Sequence, residues 1–435
     1  RGRGAHHVSD ARIEPIPYRE RLIELKDVLA RQGSVGLLLI DISELAQVEH
    51  HYGTSAFQKV LAMARDLLLE LRGNDVRSSD LLAVDDKGGD AFLVFLSPKR
   101  TDGRLRVADL KAAAERVEDH LNRKLTRLVS PYLPTPRQVV VGYSLVFENP
   151  LVMPDRLVSR LVDEAWTCVR VLRRQRDLQR RSSLQEVLLE DKLATVFQPV
   201  VDLRDNSVLG HEALSRGPEG TFYHAPLRLF ELATESDLAF ELDRKCRRRA
   251  LLAARGLPEG KKLFINVLPS ALYDPEFQGE SLIAQLDQLG LTPDRIVLEI
   301  TEKYAIENYG VFAESLTEFK SLGFKIAVDD VGAGYSGLEK IAHLNPNYLK
   351  LDRELIKDID SSYIRREMAR ALKAFADKIG STIIAEGIER ETELTCLREL
   401  GIEFGQGFLL ARPAAGLPAF LSPPRPVRTL GLSAS

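Results

Sequence analysis

Glu212, Asn266, Glu299, Asp329, Asp330, Lys350, Asp352, Glu386, Glu389 and Gln406 share a position in the chain: each stands at or near the C-terminal end of a short apolar run. Brought together on one surface, that many carboxylates could not all ionise in a partly dry cleft, because like charges at short range raise one another's pKa. Lys350 alone does not balance them. Divalent cations would, and an oxygen-only set of carboxylates with an Asn carbonyl selects hard ions such as Mg²⁺ or Mn²⁺. No Cys or His belongs to the group, which argues against zinc. The adjacent pair Asp329-Asp330, followed by the Gly-rich stretch 331–337, could bridge two ions about 3.5–4 Å apart, the spacing used in phosphoester hydrolysis. Taken alone, the pair reads as a turn or a helix cap, and Glu212, Glu299 or Lys350 as a salt-bridged surface residue. Only their joint placement points to chemistry.

The elements that must position them recur regularly. Apolar segments at 263–267, 295–301, 325–330, 347–352, 381–388 and 404–410 alternate with helical stretches. Such alternation over ~230 residues predicts a parallel barrel of the (β/α)8 type, whose catalytic groups gather on the C-terminal rim. Upstream, a helix at 18–31, strands at 35–43, 91–96 and 138–147 and a helix at 107–129 predict a separate α/β domain, a central sheet covered by helices. Apolar residues at helical spacing from Asp155 to about Leu193 predict a connecting helix. Its basic run, 173–181, reads as a solvated helix face in preference to a nucleic-acid or anionic-lipid patch. The division expected is 1–30 linker and helix, 31–175 first domain, 176–190 connecting helix, 191–415 barrel, and 416–435 an irregular tail.

At 435 residues the chain exceeds one typical domain. A net charge of −3 gives no global field toward nucleic acid or membrane. No apolar run approaches the ~20 residues that span a bilayer, and no signal-peptide pattern opens the chain. Cys168, Cys246 and Cys396 lie far apart without metal-ligand spacing, so a reducing cytoplasm is the expected location. The first ten residues read as a linker, which leaves room for an upstream sensor domain or a protein partner.

Residues 197–216, FQPVVDLRDNSVLGHEALSR, resemble the opening of the EAL domain, the cyclic di-GMP phosphodiesterase family, with Glu212-Ala213-Leu214 as the naming tripeptide. The resemblance continues through FINV, VLEITE, FKIAVDDVGAGYSGL, YLKLD, IIAEGIE and QGFLLARP, in order, over roughly 186–415. A tripeptide means nothing, but an ordered series is specific. It implies that Glu212, Asn266, Glu299, Asp329 and Asp330 hold metal and that Asp352 helps with the second of two Mg²⁺ or Mn²⁺ ions. Lys350 and Glu386 would position and deprotonate the attacking water, supported by Glu389 and Gln406. Gln198 and Arg216 would contact substrate, a guanidinium being well suited to phosphate. Glu302 would anchor the loop after Asp330. In-line attack would open one phosphodiester to give linear pGpG, and a homodimer is implied as well. Departures from the family pattern are Val331, Ala333 and Gly337 in the loop after the Asp pair, Ser215 and Gly217 in the opening motif, and Arg390 where Thr is common.

Residues 31 to about 175 are similar, more weakly, to a GGDEF domain, the family that makes cyclic di-GMP. The matching pieces are LLLIDIS with Asp41, Tyr52-Gly53, the turn Gly88-Gly89-Asp90-Ala91-Phe92 and the strand VVVGYSLVF. Ala91 replaces the signature glutamate, and Glu49 and Phe57-Gln58 align where guanine would be held, which argues against cyclase activity and GTP binding. Arg77–Asp80 resembles the inhibitory RxxD site, spaced two residues too far from the turn. The expectation is therefore an active phosphodiesterase with a degenerate, regulatory or dimerising cyclase-like domain. The rivals are a non-catalytic cyclic di-GMP receptor, which would more often have lost ligands or base, and a scaffold, which leaves the acidic rim unexplained.

Overall fold

A computed structural model describes residues 16–71, 77, 80–85, 91–97, 105–129, 138–307, 309–332 and 337–417. The chain divides into two compact units, Arg1–Gln179 and Arg180–Ser435. Among the described residues no helix is long and apolar enough to cross a membrane.

The first unit is built on four strands, β1 (Ser34–Asp41), β2 (Leu81–Val84), β3 (Ala91–Leu96) and β4 (Val140–Phe147), all antiparallel in the order β2-β3-β1-β4. β1 is central, and its unbroken run SVGLLLID is buried at every position, as a strand covered on both faces requires. Because side chains alternate, Leu38 and Ile40 pack with the helices Thr54–Glu70 and Val107–Val129. Leu37 and Leu39 pack with the helices Leu22–Gln32 and Pro154–Leu189. Strand pairing ends at Asp41, short of the 35–43 read from sequence, since Ser43–Leu45 turns into a 3-10 helix and Ser43 N donates to Asp41 Oδ1. Asp41 is buried and ion-paired with Arg173 at 2.6 Å, and Arg173 also grips Glu44. Gly88-Gly89-Asp90, and Ser78-Ser79 of the RxxD-like stretch, lie outside the described residues.

The second unit is a closed eight-stranded barrel. Its strands are β5 (Ala194–Asp202), β6 (Val208–Arg216), β7 (Lys262–Asn266), β8 (Ile296–Thr301), β9 (Lys325–Val331), β10 (Tyr348–Leu351), β11 (Thr382–Ala385) and β12 (Phe404–Gly405), paired in sequence order. Two features differ from the parallel barrel expected. β5 runs antiparallel to both β6 and β12. The connection 203–207 is the reason: five residues make a hairpin, whereas a parallel crossover needs a dozen or more. The strand expected at 404–410 keeps only Phe404–Gly405. Beyond it the backbone presses onto Ile388, where a Cβ on Gly407 would sit 2.1 Å from the Ile388 carbonyl oxygen, too close for strand pairing with a side chain. The residues on the strands' outer faces, such as Ile265, Leu298, Ile300, Ile326, Val328 and Leu349, form the main core against the surrounding helices.

Candidate active site

Inside the barrel, side chains stack in layers. Val200, Phe264, Val297, Ala327 and Ile384 make an apolar cluster, with Tyr348 and Phe404 against it. Side chains two apart on a strand share a face, so the next inward layer toward the rim is Asn266, Glu299, Asp329, Lys350, Glu386 and Gln406. On β5, which runs the other way, the corresponding residue precedes Val200: it is Gln198, in register with Glu212 of β6. Hydrophobic packing below and helices outside therefore force a polar layer into the barrel mouth.

Lys350 is its centre. Its side chain is 1% exposed, and Nζ lies 2.7 Å from Glu299 and from Glu386, 3.3 Å from Asp329 and 3.4 Å from Glu212. Asn266 Nδ2 donates to Glu212 and Glu299, both at 3.1 Å. Gln406 Nε2 donates to Glu212 at 2.7 Å and to Glu386 at 2.8 Å. Seven of the residues singled out from sequence are thus one connected network. Four carboxylates face one ammonium, and the charge shows in their titration. Burial pushes Glu299 and Glu386 well above the usual carboxylate range, with neighbouring acids adding to it. Burial raises Asp329 too. Glu212 goes the other way: burial is outweighed by Lys350 and by the amides of Gln406 and Asn266. Burial would lower Lys350, but the surrounding carboxylates hold it well above its ordinary value.

Asp330 sits beside the network with a left-handed backbone, φ 59°, uncommon for a residue with a side chain. Burial and the adjacent Asp329 and Asp352 bring its carboxyl to about 6. Carboxylate oxygens of Asp329, Asp330 and Glu386 all lie within 4.8 Å of one another. An oxygen-only donor set carrying this excess of negative charge fits hard divalent cations.

The remaining predicted residues have local partners. Asp352 caps the short helix Arg353–Ile356, accepting from Glu354 N at 3.1 Å. Glu302, buried, accepts from Gly332 N at 3.1 Å. Glu389 pairs with Arg353 at 2.9 Å. Gln198 Nε2 donates to the Ala411 carbonyl at 3.0 Å, and Arg216 Nη1 to the Ser215 carbonyl at 2.8 Å. Arg353 is the rim residue that the sequence reading passes over, because nothing about a lone Arg after an Asp marks it. A second acidic group, Asp358, Asp360 and Glu393, is closed by the Arg390 guanidinium at 3.0, 2.6 and 3.0 Å, so the family departure at 390 supplies its own cation there.

An EAL domain family model matches residues 181–413, and the chain belongs to the EAL domain family. No GGDEF family model matches, and the region before 181 remains unassigned. Cyclic di-GMP phosphodiesterase NbdA of Pseudomonas aeruginosa is 33% identical over 258 residues, 58% of this chain and 33% of that protein. The uncharacterized protein y4lL of Sinorhizobium fredii is 26% identical over 417 residues, 91% of this chain and 48% of that protein, so that likeness takes in both units. The chain spans a half or less of the length of these two relatives. Among solved structures, the PaMucR phosphodiesterase in its c-di-GMP complex superposes with a TM-score of 0.50 at 26% identity, covering 54% of this chain and 97% of that one.

Proposed function

We propose that the chain hydrolyses cyclic di-GMP to linear pGpG in a reaction that needs two Mg²⁺ or Mn²⁺ ions. The observation that carries the reading is the buried Lys350 ammonium in contact with four carboxylates, three of them buried and Glu386 half-buried, at the mouth of an EAL-family barrel. Such a centre is short of positive charge, and a substrate carrying two phosphodiester anions could not approach it unaided. Ions bound there would supply that charge and stabilise the attacking and leaving oxygens of the displacement. Glu212, Asn266, Glu299, Asp329 and Asp330 are the ligands in this reading, with Asp352 reaching the second ion.

Glu386 is the proton acceptor. Lys350 and Gln406 hold its Oε1 in place at the barrel mouth. Lys350 orients the water, while Glu389 and Gln406 support the arrangement. Glu302 holds the loop after Asp330 through Gly332 N. Arg216 grips a phosphate and Gln198 lines the substrate's path. The N-terminal unit is, in this reading, a degenerate cyclase-like domain with regulatory or dimerising work, and the protein acts as a homodimer under an upstream sensor or a partner.

The rival is a receptor that captures cyclic di-GMP without cleaving it. Incubation of the protein with cyclic di-GMP in Mg²⁺, in Mn²⁺ and in EDTA, with chromatographic separation of nucleotides, decides between them. Metal-dependent pGpG, lost in Glu212→Ala, is the expected result. Tight binding without turnover in either metal would sink the hydrolase reading.

A further inference from the structure

The loop that leaves β11 carries two rim acids, Glu386 and Glu389, and its two halves are held by different means. Backbone fixes the first half: Glu386 N donates to the Leu351 carbonyl of β10 and Ile388 N to the Gln406 carbonyl, both at 3.1 Å. Gly387 between them turns left-handed, φ 67°. A side chain fixes the second half. The amides of Glu389 and Arg390 both donate to Glu393 Oε2 at 3.0 Å.

Glu393 is buried, and its other oxygen accepts from the Asp358 amide and Arg390 Nε at 3.1 Å and from Arg390 Nη2 at 3.0 Å. Burial would raise this carboxyl, but the amides and the guanidinium hold it below its ordinary value, so it stays charged. Asp358 follows the short helix Arg353–Ile356, whose first residue pairs with Glu389. One carboxylate thus ties the segment after β11 to the segment after β10. Arg390 doubles the tie by reaching Asp358 at 3.0 Å and Asp360 at 2.6 Å.

A capping box at the start of the helix Glu391–Glu399 accounts for part of this arrangement. Its reach goes further. The Thr common at 390 in the family has a side chain too short to cross to Asp358 and Asp360, whereas the planar guanidinium serves three acids at once. The residues it immobilises are those that follow Glu386 in the chain.

We propose that Arg390 and Glu393 are a positioning pair: they set the course of residues 387–390 and so keep the Glu386 carboxylate seated against Lys350 and Gln406. The inference rests on the hydrolase reading above, in which Glu386 accepts the proton. A displacement of about 1 Å at such a group is enough to slow the chemistry up to ~100-fold.

The test compares the full chain with Arg390→Ala and Arg390→Lys. Arg390 is exposed, so its truncation leaves the core intact. Turnover of cyclic di-GMP is followed in Mn²⁺, well below the melting temperature of each variant. Arg390→Ala should lower kcat about 5- to 50-fold with KM within about twofold, and Arg390→Lys, which keeps charge without the fork, should recover part of the loss. A lowered melting temperature beside an unchanged kcat would reduce the pair to a helix cap and overturn the inference. Hydrogen exchange of the peptide spanning 386–390, read by mass spectrometry in EDTA, needs no turnover. Its amides should exchange about 5- to 10-fold faster in Arg390→Ala, and equal exchange would overturn the inference whatever the kinetics. A wild type that makes no pGpG in either metal, with the exchange difference intact, would remove the hydrolase reading and leave the tie between the two segments standing.

Discussion

Replacing Lys350 with Met keeps the length of the side chain and removes the cation that contacts all four carboxylates. At 2.7 Å and an effective dielectric of about 20, one full charge pair is worth ~6 kcal/mol. The sum over four partners overstates the loss, because the acids can protonate in response. Glu299 and Glu386 are already raised by burial and by neighbouring acids. Breaking a buried ion pair from one side costs about 3–5 kcal/mol, which for a unit of this size is a fall in melting temperature of roughly 6–20 °C. Scanning calorimetry in EDTA measures it. Added Mn²⁺ should narrow the gap between variant and wild type, since bound cations take over the neutralising role. A loss below about 1 kcal/mol in EDTA would refute the view that Lys350 is the counter-charge of this centre.

Other outcomes follow from the same structure. Asp274 is fully buried and paired with Arg244 at 2.7 Å and Arg247 at 3.0 Å, and Arg247 also holds Asp243, whose other oxygen takes the Leu268 amide just beyond Asn266. Asp274→Asn should cost about 3–5 kcal/mol at neutral pH by urea unfolding. Burial raises the Asp274 carboxyl, but the two guanidiniums prevail and hold it below its ordinary value. Its stabilisation is therefore present above the ordinary carboxylate pKa and lost as pH falls below it, so the gap to wild type should shrink in acid; a gap independent of pH would contradict the pairing. Gly387 has φ 67°, and a Cβ there would meet Arg353 Cγ at 2.4 Å. Gly387→Ala should cost about 1–3 kcal/mol and loosen the Arg353–Glu389 pair. Thermal melts should show a smaller loss in an Arg353→Ala background, and an equal loss would put the strain elsewhere.

Much of the barrel was legible because its signals are local. Apolar runs ending in Asn266, Glu299, Asp329 and Lys350 announce strands with a polar end, and the alternation along each strand sets which side chains face inward. Less legible was β5, whose pattern resembles any other strand; only the short connection 203–207 betrays its reversed direction. The segment 404–410 looked like a strand because FGQGFLL is apolar, yet Gly407 is there to let backbone approach Ile388. Arg390 stands out in the sequence only as a residue where Thr is common, and nothing nearby except Glu393 discloses the acidic group it closes.

The residue types by themselves determined the chemistry available to this chain: carboxylates and amides without Cys or His, at or near the ends of apolar runs, make a donor set suited to hard ions. Which of those acids share one lysine was decided by tertiary structure. So was the assignment of Asp352 to a helix cap and of Glu389 to Arg353. Glu212 meets Gln406 across 194 residues of chain only because the barrel closes. Closure is a global event, driven by burial of the strands' outer faces against helices, and no local pattern records the distances it creates.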